Sequence, residues 1–194
     1  MPINAISNVS NVNFRGAKAV TENGTEYYKT NNGLKVGAVY GGIGVLGSLM
    51  PGESKIGGLI GLGLHSGIGA FIDHMRNKHA AEAADYIKAV GLKKALETRD
   101  DIELSANQKP YYRSKDGMKY GTTIGAIIGA LIGFFPGLAL AIGGASALKG
   151  KQKGVAAGAG VLFAGLVTGI TALGGLILGK ITDHYTNKAA AKNA

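Results

Sequence analysis

The sequence predicts an all-α integral membrane protein with two duplicated Gly-rich helical hairpins, about four apolar helices in all, and a polar helical connector. Three observations lead to this prediction. Glycine makes up 33 of the 194 residues, more than twice its average share. Four long segments carry no Asp, Glu, Lys or Arg, and one sequence pattern occurs twice in the chain.

Regular glycine spacing in one apolar run indicates a helix with a smooth face. Glycine recurs there at every fourth position, at Gly117, Gly121, Gly125, Gly129, Gly133 and Gly137. Because helical residues four apart lie nearly above one another, these glycines line a groove. An interior glycine costs about 1 kcal/mol relative to alanine, but in lipid small residues let two helix backbones approach closely. The spacing therefore predicts a membrane helix packed against a second helix.

The repeated pattern has two ends that recur in the same order. Residues 27–37 return 84 positions later as residues 111–121, and each copy then enters a Gly-rich apolar segment. A polar signature closes each copy, at residues 73–78 and, 110 positions later, at residues 183–188. A chance match at both ends is improbable, so we interpret the chain as two copies of one hairpin, the second being longer.

Charged residues delimit four uncharged segments, at residues 36–50, 56–72, 120–148 and 154–179. As helices they would be about 22, 25, 43 and 39 Å long, against a hydrocarbon core of about 30 Å. The second pair can therefore cross a bilayer, with a tilt or with a kink at Pro136. The first pair is marginal, and both full crossing and partial insertion stay open.

These segments divide the chain into five regions. We expect a polar, unstructured N-terminus at 1–30, a first Gly-rich hairpin at 31–73, an amphipathic connector at 74–116, a second and longer Gly-rich hairpin at 117–182, and a polar C-terminal tail at 183–194. Within the connector, the spacing of apolar residues predicts an amphipathic helix over residues 79–96.

The distribution of Lys and Arg predicts the orientation in the membrane. Residues 1–35, 73–119 and 180–194 carry 17 of the 21 basic residues, and the two hairpin tips carry the other four. The positive-inside rule then places both termini and the connector in the cytoplasm. Three lysines at the second tip, in residues 149–153, depart from this distribution. The N-terminal residues lack the features of a cleaved export signal.

We assign helix packing to glycines that lie on the apolar segments at helical spacing. These are Gly33, Gly37, Gly41, Gly57, Gly61, Gly121, Gly125, Gly129, Gly133, Gly154, Gly158, Gly165, Gly169, Gly175 and Gly179. The glycine stripe of the 120–148 segment is expected to pack against the 154–179 segment, because that segment supplies several further small residues.

Five polar residues are the candidates for a function beyond packing. His65 lies midway along an apolar segment, where ionisable side chains are rare and often functional. Asp73-His74 and Asp183-His184 are matched pairs that follow the ends of apolar segments. They are interpreted as boundary residues at the membrane interface, or alternatively as one metal or proton site formed by both copies.

The sequence offers no arrangement of residues that would make an enzyme. The G-x-G-x-x-G match at residues 42–47 lies inside an apolar helix, whereas a dinucleotide site needs a strand before it and a helix after it. We therefore expect no catalytic residue, no cofactor and no bound metal. The net charge of +9 is assigned to membrane orientation and not to nucleic acid. The expected partners are the lipid bilayer and either further copies of the chain or other membrane helices.

The glycine periodicity and the Pro-Gly pairs at Pro51 and Pro136, over residues 33–72 and 117–180, resemble those of glycine-zipper transmembrane hairpin proteins. The resemblance implies helix-packed oligomers or pores. We expect an integral membrane protein with a structural, scaffold or permeation role. Alternatively, the polar Ser- and Asn-rich start resembles that of type III-secreted proteins, and the chain would then be a secreted membrane-active effector or translocator that inserts hairpins into a target membrane.

Overall fold

The computed structural model describes residues 16–49, 55–147, 149–150 and 152–194. Their elements are β1 (Ala17–Val20), β2 (Glu26–Lys29), α1 (Asn32–Gly47), α2 (Lys55–Val90), α3 (Leu92–Thr98), β3 (Ile102–Leu104), β4 (Pro110–Tyr112), α4 (Asp116–Ala147) and α5 (Gln152–Asn193). The expected turn at Pro51-Gly52 and the expected unstructured residues 1–15 lie outside the described residues.

Three helices are long and apolar enough to cross a membrane. They are α2, residues Asp116–Gly144 of α4, and α5. Their most apolar stretches are largely exposed, since at most 17% of each lies buried within the protein. Helix α1 has 16 residues and is about 24 Å long, shorter than the hydrocarbon core. The mainly helical fold class and three candidate membrane helices are therefore present.

The described chain divides into two compact units, residues 1–117 with 181–194 and residues 118–180. In the first unit, α1 packs antiparallel on α2 through backbone contacts at glycines. A side chain at Gly37 would overlap the carbonyl oxygen of His65, and one at Gly33 would lie against Gly69. Gly41 lies against Leu62, whereas Gly61 faces open space. The close approach of the α1 and α2 backbones therefore depends on the glycines along one face of α1.

Residues 17–29 do not match the expected unstructured N-terminus, because they form a β-hairpin. Strands β1 and β2 pair antiparallel with Ala17 opposite Lys29 and Val20 opposite Glu26. The turn is fixed on α2, where Asp85 accepts hydrogen bonds from the Thr21 hydroxyl (2.7 Å) and from the Asn23 amide (2.9 Å). These are tertiary contacts, which local polarity alone cannot reveal.

The connector is folded onto the second half of α2. That helix runs without a break from the apolar segment to Val90, and Gly91, with a φ of 83°, separates it from α3. The amphipathic helix expected over residues 79–96 is thus divided between two helices. The break falls at Gly91, because only glycine adopts a positive φ freely. Ala83, Ala95 and Ile102 form a small core, which holds α3 and β3 against α2.

In the second unit, the glycine stripe of α4 lies against α5. The close approaches pair Gly121 with Gly175, Gly125 with Thr171, Gly129 with Thr168 and Thr171, Gly133 with Ala164, Gly137 with Gly160, and Gly144 with Ala156. Helix α4 continues through Pro136. One face of the α4 helix therefore meets α5 along most of its length, with no side chain between the two backbones at the tightest positions.

The contact face of α5 differs from the glycine face expected for it. Gly154, Gly158, Gly165 and Gly169 face open space. The face that contacts α4 instead contains Ala156, Gly160, Ala164, Thr168, Thr171 and Gly175, and Gly179 lies beside Gly121. Alanine and threonine are small enough for close packing, so an assignment that counted only glycines included Gly175 and Gly179 of this face but missed its alanines and threonines. Gly57 lies in the first turn of α2.

The two glycine faces give a matched test. Replacing Gly125 and Gly129 by Leu should lower the thermal stability of the detergent-solubilised protein, because overpacking at a close contact costs about 1–3 kcal/mol per site. Replacing Gly165 and Gly169 by Leu makes the same chemical change on an open face and should not lower intrachain stability. Circular dichroism during heating measures both. Equal stability of the two variants would contradict the packing described here.

Candidate functional site

The N-terminus of α1 is capped by a carboxylate from the helix that packs on it. The first backbone N–H groups of a helix have no intrahelical acceptor, and Asn31, at the N-cap position, makes no side-chain capping bond. Instead, the N–H groups of Gly33 and Leu34 donate to Asp73 on α2, at 2.9 and 2.8 Å. Asp73 is buried. A negative charge there also interacts favourably with the helix dipole.

Asn77, one helical turn beyond Asp73, holds the residue that leads into α1. The backbone N–H of Thr30 donates to the Asn77 side-chain oxygen at 2.8 Å, and the Asn77 amide donates back to the Thr30 carbonyl at 3.0 Å. The Thr30 hydroxyl in turn accepts from the N–H of Asn32 at 3.2 Å. Asp73 and Asn77 together fix both the start and the entry angle of α1.

The same bonds recur at the start of α4. The N–H of Gly117 donates to Asp183 on α5 at 2.9 Å. Ser114 and Asn187 exchange two hydrogen bonds, at 2.8 and 2.9 Å, and the N–H of Asp116 donates to the Ser114 hydroxyl at 3.1 Å. Each bond joins residues that are 84 or 110 positions after those around α1. The matched sequence ends therefore occupy matched structural positions.

The two β-hairpins also correspond at the 84-residue offset. Strands β3 and β4 pair Ile102 with Tyr112, just as β1 and β2 pair Lys18 with Tyr28. Both turns contain a residue with positive φ, which is glycine in the first hairpin and Gln108 in the second. The structural correspondence thus begins about ten residues earlier than the sequence match. Each turn begins with a residue that carries a hydroxyl group. The recurrence of this residue type was the sequence signal that could have indicated the two matching hairpins.

Arg76 lies at the centre of these bonds and is 1% exposed. Its guanidinium donates to Asp73 at 3.1 Å and to Asp183 at 2.8 Å. Its Nε donates to the Ser114 hydroxyl at 3.0 Å. One cation therefore neutralises both capping carboxylates, and it joins the bonds around α1 to those around α4. We call Asp73, Arg76, Asn77, Ser114, Asp183 and Asn187 the capping network.

The position equivalent to Arg76 in the second copy holds Thr186. Its hydroxyl accepts a hydrogen bond from the Asn32 amide at 3.1 Å, so this contact also crosses between the copies. Asn32 corresponds to Asp116, which is held by the His79 ring at 2.9 Å and by the Tyr112 hydroxyl at 2.8 Å. Burial and the hydrogen bond to Asp116 raise the pKa of Tyr112, so its phenol stays a donor.

A cleft of about 350 Å³ is lined by Arg76 and by residues of both β-hairpins. Its walls come from equivalent residues of the two copies, Tyr27 and Tyr28 on one side and Tyr111 and Tyr112 on the other. Its floor likewise pairs equivalent residues, Ala80 with Ala190 and Arg76 with Thr186. The cleft therefore follows the internal correspondence of the chain.

The structure separates the members of each predicted Asp-His pair. Asp73 and Asp183 point inward and cap helices, whereas His74 and His184 are exposed. Successive residues on a helix do not share a face, which is why the pairs diverge. Within the described residues, no group of three or more His, Cys, Asp or Glu side chains is placed to hold a metal ion. The two pairs therefore form no such group among the described residues, and the alternative of a proton site built from both pairs stays a prediction.

His65 makes local contacts inside the first hairpin. Its Nδ1 lies 2.6 Å from the Gly61 carbonyl oxygen of the preceding turn. Its ring lies against Tyr40 of α1, with the centroids 4.8 Å apart. These contacts satisfy one ring nitrogen and pack the other side of the ring, so His65 contributes to the α1–α2 interface.

Sequence reasoning identified the two aspartates but missed Arg76, Asn77, Ser114 and Asn187 as members of the site. Asn77 and Asn187 carry a signal, because they recur at the 110-residue offset. Arg76 carries none, since the second copy has Thr186 there. Comparison of the chain with protein-family models, curated proteins and solved structures finds no match.

The network can be tested by removing its cation. Arg76→Met should destabilise the fold by about 3–5 kcal/mol, because it leaves two buried carboxylates without a counter-charge. Arg113→Met is the matched control, since Arg113 is half-exposed and pairs only with Glu103. It should cost about 1 kcal/mol or less. Thermal unfolding and limited proteolysis of the solubilised protein compare the two, and equal losses would contradict a central role for Arg76.

Proposed function

We propose that the chain is an integral membrane protein with a structural or scaffold role, in which two duplicated helical hairpins are fixed by the capping network. The observation that carries this proposal is the exposure of the apolar helices. Val155, Val161 and Leu162 of α5 are 72, 72 and 69% exposed, and Phe135 of α4 is 69% exposed. Apolar surface of this extent is unfavourable in water and marks a membrane or protein contact.

The polar groups of the apolar helices favour a structural role over permeation. The hydroxyls of Thr122, Thr168 and Thr171 donate to carbonyl oxygens of their own helix, at 2.7 to 2.9 Å. Hydroxyls bonded in this way offer little to a permeating ion or solute, which needs polar groups along its path. A permeation role would therefore require an assembly that brings further polar groups together.

The proposed duplication is supported by the recurrence of the same hydrogen bonds at two fixed offsets. Helix N-termini capped by a carboxylate from a distant part of the chain are a specific arrangement, and this protein has two. We infer that each copy is a β-hairpin followed by a helical hairpin whose return helix caps the outgoing one. The pattern is typical of an ancestral unit that paired with a second copy of itself before the two were fused.

Further copies of the chain, or other membrane helices, are the proposed partners of the open α5 face. The glycines at 154, 158, 165 and 169 leave four positions of that face without side chains, and such small residues support helix association in lipid. In this proposal one face of α5 packs within the chain and the other packs between chains.

Membrane extraction and labelling test the proposal. The protein should stay in the membrane fraction after carbonate treatment. Single cysteines at Asn107 and Asn193, in a chain with no native cysteine, should react with an impermeant maleimide on the same side of sealed vesicles. A cysteine at Lys149 in the second tip should react from the opposite side, because α4 and α5 are long enough to cross. Release by carbonate would overturn the membrane proposal, and labelling of all three from one side would overturn the crossing.

A further inference from the structure

Four exposed basic side chains occupy equivalent positions in the two copies. His74 and Lys78 lie one turn apart on α2, and His184 and Lys188 lie one turn apart on α5 at the 110-residue offset. All four are exposed. We call this set the basic band. Its members are exposed on both helices. Arg76, by contrast, has no arginine at the equivalent position on α5.

Three aspartates at the level of the basic band are directed inward. Asp73, Asp116 and Asp183 are 5, 4 and 7% exposed, and each accepts hydrogen bonds inside the protein. Glu82 approaches Lys78 only to 4.0 Å, with both side chains more than half exposed, and such pairs contribute little. The surface at this level therefore presents the basic band with one exposed carboxylate, Glu82, beside Lys78, whereas the three aspartates are buried.

The position of the band along the helix corresponds to the headgroup layer of a bilayer. The uncharged segment of α2 ends at Ile72, and a rise of 1.5 Å per residue places His74 about 3 Å and Lys78 about 9 Å beyond it. The headgroup layer is roughly 5–8 Å thick on each side of the hydrocarbon core. A lysine stem can also bend toward the apolar region while its ammonium stays in the polar layer.

We propose that the basic band binds anionic phospholipid headgroups, an inference that rests on the proposed membrane location. The two lysines supply charge and the two imidazoles supply hydrogen-bond donors to the phosphate oxygens. The equivalent positions on α5 provide a second pair, His184 and Lys188, which lie about 8 and 14 Å of helical rise beyond Gly179. The exposure of four basic side chains at a level where Asp73, Asp116 and Asp183 are buried is the observation that favours an anionic lipid over a zwitterionic one.

The test uses the full chain purified in detergent and titrated with phosphatidylglycerol or phosphatidylcholine. Retained lipid is counted by native mass spectrometry, and thermal stability is followed in parallel. The wild-type protein should prefer phosphatidylglycerol. Lys78→Gln with Lys188→Gln should reduce that preference roughly 25-fold, because each basic residue near an anionic surface contributes about a factor of five. Raised salt should weaken the preference of the wild type.

A second variant separates a specific site from overall charge. Lys93→Gln with Lys94→Gln removes the same charge from α3, where both lysines are exposed. Helix α3 follows the end of α2 at Val90, about 27 Å of helical rise beyond Ile72. This variant should keep the wild-type lipid preference. An equal loss in both variants would overturn the proposal, because the effect would then come from net charge alone.

Two further arms identify the source of the anion and separate this inference from the proposed function. Inorganic phosphate alone should not reproduce the stabilisation by phosphatidylglycerol, and if it does, the site binds free phosphate and the lipid proposal is wrong. A wild-type protein that resists carbonate extraction but shows no lipid preference overturns the basic band and leaves the membrane proposal standing. Release of the wild type by carbonate overturns both.

Discussion

The capping of α1 and α4 by carboxylates from their return helices is the constraint on which the first unit depends. Each helix starts with backbone N–H groups that its own residues do not cap, and each obtains an acceptor from a distant part of the chain. The carboxylates must be buried to reach these groups, and their burial requires a counter-charge. Arg76 supplies it for both. The charge of one side chain thus couples the starts of two helices.

Because Arg76 is matched by Thr186 at the equivalent position, the bonds around α1 and those around α4 depend on each other. Two arginines at these equivalent positions would bring two buried cations to the same two carboxylates. With one arginine, the first copy supplies the cation and the second copy supplies an acceptor for Asn32. Neither copy alone retains a complete set of partners, so the network holds the copies together more specifically than apolar packing would.

The sequence was sufficient where structure follows from periodicity and insufficient where it follows from distant contacts. Glycine spacing and uncharged length predicted α4 and α5, and the repeated ends located both capping aspartates. The β1–β2 hairpin was missed because its turn is fixed by Asp85. The contact face of α5 was misassigned because Ala164 and Thr171 serve as well as glycine there. Arg76 was missed because a charged residue beside an apolar helix ordinarily indicates a solvated surface.

The position of each capping residue in the chain has a consequence for biosynthesis. A ribosome produces the start of α1 about 40 residues before Asp73, and it produces Arg76 more than 100 residues before Asp183. Until the last helix emerges, the nascent first copy contains an arginine that has only one of its two carboxylates. The C-terminal part of α5 therefore supplies the second carboxylate partner of Arg76 after the first is already in place. A chain truncated before residue 183 would leave Arg76 paired with Asp73 alone.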